Sequence, residues 1–291
     1  MTTIPSFLAA SPYSLNCRGK LLPLNKPVIM GILNLTPDSF SDGGKYNQYD
    51  TALFHTESML QEGAAIIDIG GYSTRPYAQE ISEEEELQRV ARITEAILVR
   101  FPEAIVSIDS FRPGVVKPLL EMGVHIVNDV YAGRFSEEMM PLVARYGDVP
   151  YIMMHMQGTP QTMQHDPQYE SVVPEVLKFF VNRIAAAQMA GIKDVIADPG
   201  FGFGKTIRHN YQLLEGVNQL AGLGVPLLAG ISRKSMIYKF FQTSPEDVIE
   251  IATALHLKLL EKGVHILRVH DIKAARRITE LFVYQKTHGI I

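Results

Sequence analysis

Eight short apolar runs recur along the chain at intervals of about 34 residues. They are Val28–Leu33, Ala65–Ile69, Ala104–Ile108, His125–Val127, Tyr151–Met154, Val195–Ala197, Pro226–Ala229 and His265–Val269. Each is rich in Val, Ile or Leu and nearly continuous, where a strand with one wet face would alternate. That is how parallel strands covered on both faces read. Longer amphipathic stretches separate the runs and are predicted to be helices. Ser82 followed by Glu83 to Glu86 reads as a capping box, with Glu85 at the third helical position. Ser244-Pro245-Glu246-Asp247 reads as an N-cap serine before a first-turn proline. Gly63, Gly123, Gly191, Gly224 and Gly263 stand where helices should give way to strands. Gly-Val-His-Ile occurs at 123–126 and again at 263–266, which predicts two strands that open alike. Pro118 falls inside the helix expected after Asp109, so that helix must start late or kink.

Eight strands alternating with eight helices predict an α/β fold, a closed (β/α)8 barrel over 27–291 behind an N-terminal extension over 1–26. An open doubly wound sheet is the alternative, and it would concentrate chemistry at one switch point. The polar residues favour the barrel. Strand ends carry Asn34 with the 36–44 loop, Asp68 with Gly70-Gly71 and Ser73-Thr-Arg-Pro76, Asp109, and Asn128-Asp129. Further along come His155, the 198–205 loop, Ser232-Arg-Lys-Ser235 and Arg268-Val-His-Asp271. In a barrel these ends converge on one mouth. The 27 Lys and Arg against 31 Asp and Glu leave no basic excess to hold nucleic acid. No run approaches the roughly 20 apolar residues of a membrane span, and the N-terminus lacks the basic stretch of a secretory signal. A single cysteine, Cys17, precludes an intrachain disulfide and fits a reducing, cytoplasmic setting.

The polar clusters differ in chemistry. Residues 200–205 match neither nucleotide loop: Pro199 stands where a P-loop needs glycine, and the run lacks G-x-G-x-x-G spacing. Phe201 and Phe203 among those small residues read as walls for a flat ligand, or alternatively as part of a turn shielding the core. Asp109, Asn128, Asp198 and Lys234 come from four different strand ends. Buried carboxylates need donors, and an aminopyrimidinone ring offers NH2 and NH to a carboxylate and a carbonyl to an ammonium. A structural Asp–Lys ion pair is the competing reading. Arg268 and His270, two apart on one strand, share a face and suit an anion. Asn34 nearby suits Mg²⁺, which keeps waters and takes substrate phosphates. His125 and His265, at strand starts, read as packing residues, and His155 as core or pocket wall. Met153, Met154, Met156 and Met163 read as core filler, with contact to a bound ring as the alternative for Met154 at its strand end.

Asn34-Leu-Thr-Pro-Asp-Ser-Phe-Ser-Asp-Gly-Gly44, Ser73-Thr-Arg-Pro76, Met154-His-Met-Gln-Gly-Thr-Pro160, Asp198-Pro-Gly-Phe-Gly-Phe-Gly-Lys-Thr206, Ser232-Arg-Lys-Ser235 and Arg268-Val-His-Asp271 together resemble the dihydropteroate synthase family. The match runs in the family's order from about Val28 to Ile278. The resemblance implies a (β/α)8 transferase of folate biosynthesis. It would join a 7,8-dihydropterin-6-ylmethyl diphosphate to 4-aminobenzoate, releasing pyrophosphate. Carried over by motif, Thr74, Asp109, Asn128, Met154, Asp198, Lys234, Arg268 and His270 bind the pterin diphosphate. Thr74, Arg75, Pro76, Phe203 and Ser235 bind 4-aminobenzoate, and Asn34 carries Mg²⁺. Asp38, Arg75, Lys234, Arg268 and His270 are implied to be catalytic, and a homodimer is implied. The chain departs from the family pattern at Tyr72, Tyr77 and Ser110, where Glu, Gly and Thr are common. A pterin-binding methyltransferase domain shares the barrel but does not require the Ser-Thr-Arg-Pro and Ser-Arg-Lys-Ser motifs. A non-catalytic pterin-binding paralogue is the remaining alternative.

Overall fold

Each apolar run forms a strand whose alternate side chains enter two different cores. The computed structural model describes residues 13–36, 45–74 and 80–290. A hairpin of β1 (Ser14–Cys17) and β2 (Lys20–Pro23) comes first. Eight parallel strands follow: β3 (Val28–Asn34), β4 (Ile66–Gly70), β5 (Ile105–Asp109), β6 (Ile126–Asp129), β7 (Tyr151–Met154), β8 (Val195–Asp198), β9 (Leu228–Ala229) and β10 (Ile266–Val269). Their order is β8-β7-β6-β5-β4-β3-β10-β9. A parallel bridge from Ala197 to Leu227 joins the two edges. The sheet is therefore a closed TIM barrel, and the open-sheet alternative falls.

The near-continuous hydrophobicity of the runs is resolved by side-chain parity. Met30, Ile66, Ile105, Ile126, Ile152, Ile196, Leu228 and Ile266 point inward and fill the barrel. Their neighbours Ile29, Ile67, Val106, Val127, Tyr151, Val195, Leu227 and Leu267 point outward and pack against the helices. The hairpin stoppers the end where the strands begin, with Leu15, Cys17 and Leu24 buried in the inner core. The Asn16 amide donates to Asp194 Oδ2, and the Arg18 amide to the Asp148 carbonyl, both at 2.8 Å. Burial, helped by the Asp194 charge, pushes the Cys17 thiol up to about 12, so it is an inert packing group.

The helices are α1 (Lys45–Glu62), α2 (Glu83–Arg100), α3 (Pro113–Met122), α4 (Met139–Ala144), α5 (Val172–Ala190), α6 (Ile207–Gly216), α7 (Ser235–Phe241), α8 (Ile249–Glu261) and α9 (Ile272–Thr287). One follows each barrel strand, except that β9 is followed by both α7 and α8, one more helix than the sequence pattern predicts. Ser82 Oγ accepts the Glu85 amide at 3.1 Å, while the Glu85 carboxylate pairs with Arg89 one turn on. Ser244 opens a 3-10 turn over Pro245–Val248, and its hydroxyl donates to Asp247 Oδ2 instead of capping the backbone. Helix α3 begins with Pro113 in its first turn, not late enough to exclude Pro118, which lies in its interior and has no N–H to give the backbone ladder. Among the described residues no helix is long and apolar enough to cross a membrane.

The repeated tetrapeptide makes the same junction twice. Gly123 and Gly263 end α3 and α8 at φ +115° and +90°, which lets the chain turn sharply into a strand. His125 then exchanges two bonds with Val106: its amide donates to the Val106 carbonyl, and its Nδ1 accepts the Val106 amide. His265 does the same with Leu227. Burial pushes both imidazoles from 6.5 down to about 4. The unfolded chain therefore binds more protons between those values, so stability is fully present above pH 6.5 and drains as pH falls toward 4. Between pH 7 and 4.5 the denaturant midpoint of the parent should therefore lose ground, pH by pH, relative to that of the double variant His125→Asn, His265→Asn, which lacks this contribution.

Candidate active site

Inward parity at the carboxyl ends of the strands lifts a ring of polar side chains above the apolar floor. Asn34, Gly70, Asp109 and Asn128 are register neighbours across β3 to β6, and Met154 and Asp198 across β7 and β8. A Cβ built on Gly70 would lie 3.5 Å from Asn34 Oδ1 and 3.7 Å from Asp109 Oδ2, which puts both at the same level of the mouth. Arg268 reaches across from β10. Its Nε donates to Asp68 Oδ2 and its Nη2 to Asp109 Oδ2, each at 2.6 Å. Asn128 Nδ2 donates to the same Asp68 oxygen at 3.0 Å.

These groups titrate away from their ordinary ranges. Burial pushes the Asp109 carboxyl up to about 7, with the Arg268 charge pulling against it and Asp68 adding to it. Burial also raises Asp198, opposed by Lys234 and by the Gly200 amide, which donates to Asp198 Oδ1 at 2.8 Å. Lys234 is pushed down to about 8 by burial, with Asp198 holding it back. Its ammonium donates to the Phe201 carbonyl and stands 4.2 Å from the centre of the Phe203 ring. The mouth thus sets carboxylates beside cations, and burial draws Asp109 and Lys234 toward neutrality from opposite sides.

One wall is apolar. Met154, Met156, Met163, Phe111 and Val130 form a buried cluster, with Tyr72, Tyr131 and Phe203 packed against it. Phe201 is different: it is fully buried in the core between barrel and helices, because its backbone turns it outward. The expectation that it walls a ligand is corrected, and Phe203 alone of the two lines the mouth. The loop carrying both phenylalanines is built on backbone approach. A Cβ on Gly200 would sit 1.9 Å from the His155 carbonyl oxygen, and one on Gly204 would sit 2.4 Å from that of Gln157. Lys205, to which sequence reasoning gave no role, ties this loop down. Its Nζ meets His155 Nδ1 and the Gly200 carbonyl at 2.9 Å and the Phe203 carbonyl at 3.1 Å, and burial lowers its pKa well below the ordinary lysine range.

The loops after β4 and β5 are held by a second network that the sequence reading missed. Buried Glu86 accepts from Ser110 Oγ at 2.6 Å and from Arg112 Nη1 at 3.0 Å. Arg112 lies 4.8 Å from the Tyr72 ring centre, and Tyr72 meets Phe111 edge-on at 5.3 Å. Thr74 lies two residues beyond Tyr72 and is half-buried. On the opposite side, Arg233 grips Asp271 with two bonds of 2.7 and 3.2 Å, joining the loops that carry Lys234 and His270. His270 lies one residue beyond β10, with its amide and Nδ1 both 3.3 Å from Ser232 Oγ. Ser235 opens α7 beside Lys234. Asp38, Arg75 and Pro76 lie outside the described residues. Among the described residues no three His, Cys, Asp or Glu side chains are grouped to hold a metal.

Comparison with known proteins gives concordant results. The family model for pterin binding enzymes matches residues 30–270. The chain is similar to a dihydropteroate synthase of Haemophilus influenzae, 46% identical over 94% of this chain and 98% of that one. It is also similar to the Escherichia coli dihydropteroate synthase, 44% identical over 90% and 94%. Among solved structures, the Yersinia pestis dihydropteroate synthase in a sulfonamide drug complex superposes with a TM-score of 0.89 at 40% identity, covering 94% of this chain and all of that one.

The glycine loop makes a sharp test of this geometry. At φ +67° and with its Cβ driven into a carbonyl, Gly200→Ala should cost roughly 2–4 kcal/mol in denaturant unfolding. Gly222→Ala, which meets no atom within 4 Å, should stay within about 0.5 kcal/mol of the parent.

Proposed function

The chain belongs to the dihydropteroate synthase family, and from that premise we propose how its barrel mouth carries out the reaction. The reaction joins a 7,8-dihydropterin-6-ylmethyl diphosphate to 4-aminobenzoate, giving 7,8-dihydropteroate and pyrophosphate in folate biosynthesis. The observation that carries the assignment of roles is the convergence of Asp109, Asn128, Asp198, Lys234 and Arg268 on one rim.

Asp109, Asn128 and Asp198 take the ring's NH2 and NH donors, and Lys234 donates to its carbonyl. Each of these hydrogen bonds replaces solvation already lost on folding, and those to Asp109, Asp198 and Lys234 are charge-assisted, which makes the site selective for a ring with that edge. Met154 packs against the flat face. Arg268 and His270 hold the diphosphate. As the carbon–oxygen bond breaks, its electron pair leaves with pyrophosphate, and Arg268 stabilises the charge that develops there. The benzylic-type carbon becomes positive, and Asp38 serves to stabilise it. Thr74, Arg75, Pro76, Phe203 and Ser235 place the aminobenzoate so that its nitrogen lone pair forms the new bond, after which the surplus proton leaves to solvent. An arylamine is uncharged at pH 7, so no strong base is required. His155 is not one: its Nδ1 is engaged by Lys205, and burial pushes it down to about 2.

The donor set fits Mg²⁺ held largely by its waters and the diphosphate. Asn34 offers one half-buried amide oxygen at the rim, with no cage of carboxylates around it among the described residues. When bound there, the ion supplies charge neutralisation to the leaving group. The reading also includes a cytoplasmic homodimer. The lone buried cysteine supports the compartment, and Phe240 and Phe241, 60% and 49% exposed on α7, support an apolar contact.

Incubation with both substrates and Mg²⁺ should release pyrophosphate only when 4-aminobenzoate is present; release independent of it would refute the reading. Calorimetry with a pterin should show Lys234→Ala and Asp198→Asn each binding at least about tenfold more weakly. Because the Lys234 charge is present below its value of about 8 and lost above it, pterin affinity should also fall as pH rises past 8.

A further inference from the structure

Asp68 is a fully buried carboxylate to which the chemistry above gives no part. It stands in the middle of β4 between Ile67 and Ile69, one inward position below Gly70, so it lies under the rim. Nothing in the packing asks for a charge there. Its register neighbours are Ile32 on one side and Ser107 on the other, and the next inward residue below is Ile66. A carboxylate without water is costly unless donors meet it. The donors that meet Asp68 are Arg268 Nε at 2.6 Å and Asn128 Nδ2 at 3.0 Å, both on the same oxygen.

Those two bonds decide how two rim residues face their ligands. A guanidinium is planar with five N–H donors. Asp68 holds Nε and Asp109 holds Nη2, which fixes the plane while neither bond uses Nη1. An ionised carboxylate only accepts, so the end of the Asn128 amide that faces Asp68 must be its NH2. The carbonyl end is thereby turned away, ready to accept from a ring NH or NH2. A neutral residue at 68 would leave both orientations of the amide open and let the guanidinium rotate.

We propose that Asp68 is a positioning residue for the transfer reaction, setting the plane of Arg268 and the amide orientation of Asn128 from beneath, without touching either substrate. The proposal rests on the reading of Arg268 as the clamp on the diphosphate. Steady-state kinetics on Asp68→Asn, Arg268→Ala and the double variant test it. Asp68→Asn should lower kcat/KM for the pterin diphosphate about 10- to 100-fold and leave KM for 4-aminobenzoate within about twofold. In the Arg268→Ala background the same change should cost at least about threefold less, because its main route of action is gone. A folded Asp68→Asn variant within about twofold of the parent, or an equal loss in both backgrounds, overturns the proposal. Arg268→Ala with parental kcat/KM overturns the clamp reading and the proposal together, whereas the first two outcomes leave the clamp standing. If Asp68→Asn does not fold, a crystal structure of the unaltered protein with a pterin and pyrophosphate decides. Arg268 Nε and Asn128 Nδ2 should still be on Asp68, and an Arg268 that has swung off Asp68 to reach the anion would refute it.

Discussion

Charge placed inside a closed ring of parallel strands has no water to fall back on, so every ion there must be answered by a group from another strand. Arg268, Asp68, Asp109 and Asn128 are that answer at the centre of this barrel, drawn from four strands and joined by bonds of 2.6 to 3.0 Å. The requirement runs both ways. The barrel can admit these ions only because closure brings β10 against β3, and β3 to β6 side by side. Once admitted, they hold the rim in one arrangement, since moving any one of them strands another.

The same scarcity of water shifts the rim carboxyls and the Lys234 ammonium in opposite directions. Burial raises the carboxyls of Asp109 and Asp198 and lowers the ammonium of Lys234, while the opposite charges nearby limit the drift. A ligand that brings complementary donors and acceptors therefore meets groups whose solvation has already been given up. This is preorganisation in the electrostatic sense, with the folding of the barrel bearing the desolvation in advance.

Much of this was legible in the linear pattern, and the reasons are physical. Runs without alternation mean strands covered on both faces, and all eight fell on the barrel strands. Polar residues at every strand end mean a single mouth, which is where Asn34, Asp109, Asn128, Asp198, Lys234 and Arg268 gather. The repeated Gly-Val-His-Ile marked two equivalent junctions, although the bonds made by its histidine could not be read from spacing. What escaped depends on contacts between distant segments. Lys205 looks like the end of a glycine-rich loop until the carbonyls around it are seen. Phe201 and Phe203 are alike in sequence, and only the twist of their loop sends one outward and the other to the rim. Asp68 did carry a signal, a carboxylate flanked by isoleucines in a strand that should be apolar throughout, but its partners lie 60 and 200 residues away.

Parity within the strands has a further consequence for how such a chain can change over time. Neighbouring residues on one strand belong to separate packing problems, since Ile67 answers to the helices and Asp68 to the interior of the ring. A substitution at one position leaves its immediate neighbour's surroundings nearly untouched. The shell against the helices can thus be repacked without redrawing the lining of the ring, as though two separate interiors had been threaded onto the same backbone.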